Sequence, residues 1–330
     1  MTAPKLLVQL RRALRARHMS PRTEQAYVAW CRRFVRFCGM LHPAACGVAE
    51  VRAFLETLAT QSRVAASTQN QACAAIQFLY THVLGRSLGE LPSYVHARRP
   101  YRLPNVLEPE EVREVLALLD GTPRLVAMLL CGAGLRLSEA LALRVKDIDL
   151  RRRTVVVRDG KGASDRRTVL PDTLVPLLDE QLRRVRRAHV RDLRVGGILI
   201  PLPFAMDRKA RSATRDWRWA WVFPATRTYV ERRTGGRLRD HLHGSVIQRQ
   251  IAKAAVRTTV NKRVTAHTLR HSFATHLVRS GSDIRTVQSL LGHRDVSTTM
   301  VYLHVLERGS GVRSPLDRLL DGGRDGSVLS

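Results

Sequence analysis

Hydrophobic residues recur at helical spacing through the first third of the chain. One apolar face is formed by Tyr27, Trp30, Phe34 and Phe37. That helix should begin after Ser20, because a serine cap followed by proline is a favoured helix start. Further helices are predicted from near Val48 and over about 67–84. Residues 1–91 therefore predict a compact helical domain.

The apolar periodicity stops over residues 92–106, where three prolines and three arginines predict an extended basic linker. Beyond it, a helix is predicted to begin at Glu108-Pro109, helical patterns continue over about 123–131, 135–143 and 172–190, and they return from near residues 244, 265, 282 and 297. Two short β-branched runs, 154–157 and 167–170, flank a Gly-rich turn and predict a hairpin. Residues 107–330 thus predict a second domain, and the whole chain is expected to be mainly α with a small β-sheet (α+β).

The charge of the chain narrows the choice of partner. The 330 residues include 56 Lys and Arg against 28 Asp and Glu, a formal charge of +28. Through residue 106 there are 15 basic and 4 acidic residues, and the remainder holds 41 and 24, so the two parts carry +11 and +17. A field of this sign favours polyanions, above all nucleic acid. Two basic domains indicate a polyanion held from two sides.

Other classes of protein fit the sequence less well. No apolar run approaches the roughly 20 residues of a membrane span. The basic amphipathic start, with Leu6, Leu7 and Leu10 among arginines, also resembles a mitochondrial transit peptide, but the pattern continues into folded-looking sequence. Five cysteines without CxxC spacing predict reduced, mostly buried thiols. With the basic charge, these features lead us to expect a cytoplasmic, nucleoid-associated protein that is not bound to a membrane.

Several polar residues could carry chemistry, although each has an ordinary alternative. Lys161 lies at the tip of the predicted hairpin, where it either is a solvated turn lysine or reaches a leaving oxygen. His267, Arg270 and His271 share a helical face, which either is simply the polar face of the helix or combines a proton-transfer group with a phosphate-binding fork. A zinc site at the two histidines lacks the Glu of HExxH.

Three further residues stand beside breaks in the helical pattern. Arg136 follows the Gly132-Ala133-Gly134 turn and opens a helix, where free backbone N–H groups favour anions; otherwise it is a surface arginine. His293 follows the break at Gly292, and Tyr302 lies nine residues later on a predicted helix. A half-buried tyrosine is the common role for such a residue.

Taken together, these residues resemble the catalytic series of the tyrosine recombinases of the phage-integrase type. The matching stretches are Gly134–Glu139, the Lys161 hairpin, His267–His276, and Leu290–His293 leading to Tyr302. The resemblance covers nearly the whole chain. It implies a SAM-like helical core-binding domain at 1–91, followed by a tyrosine-recombinase catalytic domain.

A narrower resemblance is to integron integrases. It rests on an insertion of about 191–235 that contains Trp217, Trp219 and Trp221, on His241 with Ser245–Arg249, and on Val305–Asp317. In that group the insertion binds bases extruded from a folded single strand, and Trp219 and His241 match residues of the pocket. The chain departs from the group at Asp240, where a second histidine is usual. The alternative is a strand whose tryptophans pack a small core.

The resemblance implies the following chemistry. Tyr302 attacks a phosphodiester and forms a 3′-phosphotyrosyl bond, while Arg136, Arg270 and His293 stabilise the charge of the transition state. His267 assists removal of the phenol proton, and Lys161 protonates the 5′ oxygen. Glu139 supports the site. We expect no metal, no ATP and no other cofactor, and a homotetramer on a duplex attachment site and a folded single-stranded cassette site.

The remaining candidates for DNA contact are arginines. Arg22 stands at a predicted helix start, and Arg98 and Arg99 lie in the linker.

Three rival functions remain open. A type IB topoisomerase would share the chemistry but act as a monomer. A metal-dependent relaxase would use the His241-Leu242-His243 pair. A non-catalytic DNA-binding protein would have a decayed site.

Overall fold

The computed structural model describes residues 5–61, 64–89, 105–158, 165–203, 206–231, 234–292 and 299–300. The chain divides into two compact units, Met1–Arg102 and Leu103–Ser330. Helices account for most of the described residues, and two small antiparallel sheets account for the strands. The expected fold class, mainly α with a small β component, is confirmed.

The described part of the N-terminal unit contains four α-helices. They are α1 (Leu6–Ala16), α2 (Pro21–Phe37), α3 (Val48–Thr60) and α4 (Ala66–His82). The predicted serine cap is present, because the Ser20 hydroxyl accepts a hydrogen bond from the Thr23 N–H at 2.9 Å. Aromatic residues of α2, α3 and α4, including Phe34, Phe54 and Tyr80, meet in the core at T-shaped angles.

A buried carboxylate joins the first two helices of this unit. Glu24 of α2 is 7% exposed, and it accepts hydrogen bonds from Arg11 at 2.6 Å and from Arg15 at 2.8 Å. The Arg15 hydrogen bond is the main reason why the pKa of Glu24 lies below its usual range. The basic face of α1 therefore has a structural partner as well as exposed arginines.

The second unit holds eight helices among its described residues. They are α5 (Pro109–Ala117), α6 (Gly121–Gly132), α7 (Leu137–Leu141), α8 (Val175–Gly196), α9 (Met206–Lys209), α10 (Gly244–Val256), α11 (Ala266–Arg279) and α12 (Ile284–Leu291). Leu129 and Leu130 of α6 and Leu269 of α11 are completely buried in one hydrophobic cluster, which also contains Ile247 and Ile251 of α10. α6 is thus the central helix of the unit.

Two short sheets lie beside these helices. The first contains β1 (Ile148–Asp149), β2 (Thr154–Val157) and β3 (Arg166–Val169), and the second contains β4 (Tyr229–Val230) and β5 (Arg237–Leu238). In the predicted hairpin, Thr154 pairs with Val169 and Val157 pairs with Arg166. The hairpin is present, and its second strand begins one residue earlier than predicted. Its turn lies outside the described residues.

Three local predictions need correction. The helix predicted over 172–190 continues to Gly196, because Gly197 supplies the left-handed conformation that ends it. The helix predicted over 135–143 is shortened to Leu137–Leu141, with Arg136 as its N-cap. Trp217–Trp219 form a 3₁₀ turn capped by Asp216, so the tryptophan-strand alternative is wrong.

Among the described residues, no helix is both long enough and apolar enough to span a bilayer.

Candidate active site

A glycine turn sets the position of Arg136. Gly134 has φ +65°, and a Cβ on it would lie 2.4 Å from the Phe273 ring of α11. Only glycine therefore allows α6 to end and the chain to turn so close to α11. Two residues later Arg136 caps α7, and its backbone N–H donates to Glu139 Oε2 at 2.7 Å.

Glu139 is the centre of an arginine cluster, which we call the Glu139 cluster: Glu139, Arg136, Arg166 and Arg270. Glu139 Oε1 accepts from Arg136 Nη1 at 2.6 Å and from Arg166 Nη1 at 3.0 Å. Glu139 Oε2 accepts from Arg166 Nη2 at 2.6 Å and from Arg270 Nη1 at 3.4 Å. One carboxylate thus holds three guanidinium groups, and the cluster carries a net charge of +2 from these four side chains.

The ionisation of Glu139 depends on these arginines. Burial raises the pKa of this carboxyl group, but the hydrogen bonds from Arg166, the Arg136 backbone N–H and the Arg136 side chain outweigh it and bring the pKa to about 2. Glu139 is therefore ionised throughout the physiological range. It acts as a fixed negative charge and not as a proton donor.

Arg270 ties three parts of the second unit together. It is 4% exposed, and its Nη1 donates to the Gly134 carbonyl at 2.7 Å while its Nη2 donates to the Leu291 carbonyl at 2.7 Å. These bonds join α11 to the glycine turn and to the last turn of α12. They fix the plane of the guanidinium, as an anion-binding fork requires.

Exposure differs across the three arginines of the Glu139 cluster. The Arg136 side chain is 37% exposed, whereas those of Arg166 and Arg270 are 12% and 4% exposed. Arg136 is therefore the most accessible member. Positive charge held at fixed positions beside solvent is suited to an anionic transition state.

His267 and His271, the first two of the three histidines of α11, differ in environment. His267 is exposed, and its ring centroid lies 6.3 Å from that of the half-buried His271 in a T-shaped arrangement. Burial, with the nearby His267 and Arg270, lowers the pKa of His271 to about 4. His271 is accordingly neutral at pH 7, while His267 is free of burial at the start of the helix.

Of the predicted catalytic set, the structure brings Arg136 and Arg270 together and places His267 in the first turn of α11, but it does not describe the other three. Lys161, His293 and Tyr302 lie outside the described residues, and so do Arg98 and Arg99. The neighbouring described segments are informative: β2 and β3 flank the Lys161 turn, and α12 ends just before His293. Arg166 of β3 donates from Nε to the Leu290 carbonyl at 2.9 Å, so these two segments meet at the Glu139 cluster.

A second group of polar and aromatic residues surrounds Arg144. This side chain is nearly buried, and it donates to the Trp219 carbonyl at 2.6 Å and to the Pro201 carbonyl at 2.9 Å. Its Cζ lies 3.6 Å from the Trp221 ring centroid and 5.2 Å from that of Trp219. Burial lowers the pKa of Arg144 to about 10, which leaves it charged. We call Arg144, Lys146, Trp219, Trp221 and His241 the tryptophan cluster.

Backbone pairing brings the members of the tryptophan cluster together. Val222 donates to the Leu143 carbonyl at 2.9 Å, and Leu242 donates to the Phe223 carbonyl at 2.8 Å. The end of the insertion is thus held between two neighbouring segments. His241 consequently meets Trp221 edge-on, with ring centroids 5.1 Å apart.

Trp219 is the half-exposed aromatic surface of the cluster. The Lys146 ammonium lies 2.9 Å from its ring centroid, a cation–π contact. Burial and the charge of Arg158 lower the pKa of Lys146. Asp240 accepts a hydrogen bond from the His241 N–H at 2.7 Å, so it fixes the backbone where a second histidine is usual in the resembling group.

The other candidates have simpler surroundings. Arg22 is exposed in the first turn of α2. His241 Nδ1 pairs with the Leu242 carbonyl, and His243 Nδ1 accepts from the Ser245 N–H. Within the described ranges, no three His, Cys, Asp or Glu side chains are grouped so that they could hold a metal.

Sequence reasoning missed Arg166, Arg144 and Lys146. Arg166 follows the hairpin turn in an arginine pair with Arg167, and only the alternation of the strand distinguishes the two. Its partner lies 27 residues away, and no local pattern signals that contact. Arg144 and Lys146 follow α7 in a segment without helical periodicity. Their contacts with Trp219 exist only in the folded chain, so the sequence does not signal them.

Comparisons with known proteins give relatives for both parts of the chain. Residues 105–308 match the Phage integrase family, and residues 6–90 match the phage integrase N-terminal SAM-like domain. Proteins described as "Integrase/recombinase" from Escherichia coli and Pseudomonas aeruginosa are each 49% identical over 316 residues, 96% of this chain and 94% of theirs. Tyrosine recombinase XerA of Thermococcus onnurineus is 33% identical over 68% of this chain and 66% of its own.

Solved structures share the fold at lower identity. XerH site-specific recombinase, bound to its palindromic difH substrate in a post-cleavage complex, has a TM-score of 0.58 and 19% identity over 94% of this chain and 82% of that one. The Tn1549 transposon integrase in complex with circular intermediate DNA has a TM-score of 0.60 and 15% identity, covering 97% of this chain and 99% of that one.

Proposed function

This chain belongs to the phage integrase family and is a tyrosine site-specific recombinase, and from that premise we propose that it is an integron integrase acting on DNA. It integrates and excises gene cassettes between a double-stranded attachment site and folded single-stranded cassette sites. The domains are a core-binding domain over 1–91, a linker over 92–106 and a catalytic domain over 107–330. XerH and the Tn1549 integrase were solved with DNA, which supports the choice of partner.

The proposed reaction is a transesterification. The Tyr302 oxygen attacks the scissile phosphorus, the bond from phosphorus to the 5′ oxygen breaks, and a 3′-phosphotyrosyl bond remains. His267 assists removal of the phenol proton, and Lys161 gives a proton to the departing 5′ oxygen. Attack by a 5′-hydroxyl of another strand reverses these steps and rejoins the DNA.

Charge stabilisation is the part of this mechanism that the Glu139 cluster supports. The pentacoordinate transition state carries about two negative charges on non-bridging oxygens, and fixed donors aimed at such charge are the largest catalytic contribution. Arg136 and Arg270 supply these donors, with His293 adding another. Because the arginines provide the positive charge, the reaction needs neither metal nor ATP.

DNA is held by both domains in this proposal. Arg22, Arg98 and Arg99 contact the phosphate backbone, which fixes position without reading sequence. Two protomers occupy each site, so exchange between two sites uses a homotetramer.

The tryptophan cluster is the observation that favours the integron assignment. Trp219 is half-exposed, its carbonyl is held by Arg144 and its ring is covered by Lys146, so an aromatic face is kept beside positive charge. Aromatic faces next to cationic groups bind unpaired bases, with about 1–3 kcal/mol for each stacked base. His241 lies at the edge of the same cluster.

The test compares two DNA ligands that differ by one base. One is a folded strand with an extrahelical base, and the other is the same duplex without it. We expect Trp219→Ala to weaken binding of the first by about 5- to 150-fold, from the stacking energy, and to leave the second unchanged. Trp217→Ala is the matched control, because Trp217 belongs to the same turn but packs on His189. Equal binding of both ligands by the unmodified chain would contradict the integron assignment.

A further inference from the structure

Arg166 makes contacts that the proposed reaction leaves unexplained. It is the first residue of β3, its side chain is 12% exposed, and its two terminal nitrogens bind both oxygens of Glu139 at 2.6 and 3.0 Å. This is the bidentate fork geometry in which arginine binds a carboxylate most strongly. Its Nε is also committed, to the Leu290 carbonyl at 2.9 Å. All three guanidinium nitrogens of Arg166 have protein partners and the side chain is little exposed, so Arg166 is suited to holding neighbouring groups and not to binding phosphate.

The same side chain holds the end of α12. The consecutive carbonyls of Leu290 and Leu291 accept hydrogen bonds from Arg166 and from Arg270, so two arginines cap the negative end of one helix. The helix then stops at Gly292, which has φ +64°; a Cβ there would lie 2.7 Å from Arg166 Cδ. Arg166 thus packs directly against the last described residue before His293.

We propose that Arg166 is a positioning residue of the recombination site: through Glu139 it holds Arg136, and through the Leu290 carbonyl it holds the end of α12, in the arrangement that phosphate binding requires. This inference rests on the proposed function, in which Arg136 and Arg270 bind the scissile phosphate. The role assigned to Arg166 is exerted through Glu139 and the end of α12, and it requires no contact with DNA. Arg166 also lies just after the Lys161 turn, so it links the hairpin to the other predicted catalytic segments.

The first experiment separates cleavage from binding. Single-turnover cleavage of a nicked duplex is measured beside DNA affinity for the unmodified chain and for Arg166→Gln. A displacement of about 1 Å at reacting groups costs about 100-fold in rate, so we expect a loss of that order with affinity changed less than threefold. Arg167→Gln is the matched control, because Arg167 is the exposed neighbour on the same strand. Cleavage by Arg166→Gln at the normal rate would overturn the proposal.

The second experiment separates charge from geometry. Without Arg166, the buried Glu139 loses its main partner, so its pKa should rise and cleavage by Arg166→Gln should fall further toward acid pH. Arg166→Lys keeps a positive charge but not the fork, so it should be slower than the unmodified chain without that acid decline. Identical pH profiles for the Gln variant and the unmodified chain would contradict a role through Glu139.

The third experiment addresses folding and the proposed function separately. In a Glu139→Gln background, Arg166→Gln should reduce cleavage by less than about threefold, because the two side chains act as one unit. A full additional loss would mean that Arg166 acts by another route. If the unmodified chain forms no covalent adduct, the proposed function fails. The inference is then decided by nuclear magnetic resonance titration of the Glu139 carboxyl, whose pKa should rise in Arg166→Gln and not in Arg167→Gln.

Discussion

Glu139 shows how one residue can organise a site without performing its chemistry. Its carboxylate is largely withdrawn from water, and it remains ionised because three guanidinium groups face it. The Arg136 side chain remains partly exposed to solvent, whereas the side chains of Arg166 and Arg270 are largely buried. The sequence suggests Arg136, Arg270 and the supporting role of Glu139, because all three fall in recognisable motifs. Arg166 could not be predicted, because its role depends on a contact between distant segments.

Gly134 provides the first prediction at this scale. Gly134→Ala combines a left-handed backbone with a Cβ placed 2.4 Å from the Phe273 ring, whereas Gly235→Ala has a similar φ of +68° and open space. The control substitution should cost about 1–2 kcal/mol of unfolding free energy, from backbone strain alone. Gly134→Ala should cost clearly more in chemical denaturation. Equal losses would mean that the contact with α11 relaxes freely.

His271 provides a prediction about pH. Its pKa is lowered to about 4 in the folded chain, so the unfolded chain, with a usual value near 6.5, binds the proton more readily between these limits. The free energy of unfolding should therefore fall as pH drops from about 6.5 toward 4, and His271→Asn should flatten that decline. Denaturation curves across this range measure it. An unchanged slope in the variant would contradict the contribution of His271.

At the scale of elements, helix starts and stops were predictable where a local capping signal marks them, whereas the bounds of α7 and α8 were not. Ser20 and the Gly132–Gly134 turn act locally, so their effects are visible in a few neighbouring residues. The insertion was less predictable. Alternating tryptophans suited a strand, but Asp216 caps a 3₁₀ turn and Arg144 draws the carbonyl of Trp219 inward. The conformation of this segment therefore follows from these local and long-range hydrogen bonds and not from the alternation of tryptophans.

Arg239 anchors this insertion and gives a prediction for the element. It binds both oxygens of Asp192 near the end of α8 and donates to the Ala225 and Thr226 carbonyls. Arg239→Ala should loosen the segment that carries Trp219 and Trp221, so tryptophan fluorescence in a Trp30→Phe background should change. It should also reduce discrimination between the two DNA ligands. Arg237→Ala, an exposed change two residues earlier in β5, should alter neither. Unchanged fluorescence in Arg239→Ala would contradict the anchoring role.

At the scale of the whole molecule, the charge of +28 is spread over both parts of the chain. Neutralising 6–10 phosphates lowers affinity by about 10³- to 10⁵-fold between 50 and 200 mM salt. We expect a loss of that order for duplex binding, measured by titration at several salt concentrations. A decrease in duplex affinity of less than about tenfold over this range would contradict DNA binding by both domains.

The fold class could be predicted from composition and periodicity, because both report averages over many residues. The family could be recognised because its motifs are short and ordered. Contacts between remote segments, such as Arg166 with Glu139 and Arg144 with Trp219, could not be predicted from the sequence. These contacts depend on how the elements pack, and local patterns carry no information about them.

The most direct test of the proposed mechanism is covalent trapping on a nicked suicide substrate in EDTA. Cleavage releases a short fragment from that substrate, so rejoining is blocked and the phosphotyrosyl adduct accumulates. The account predicts a protein–DNA adduct that survives denaturing detergent, forms without metal, and disappears in Tyr302→Phe. An adduct that persists in Tyr302→Phe, or one that forms only when Mg²⁺ is restored, would contradict the mechanism.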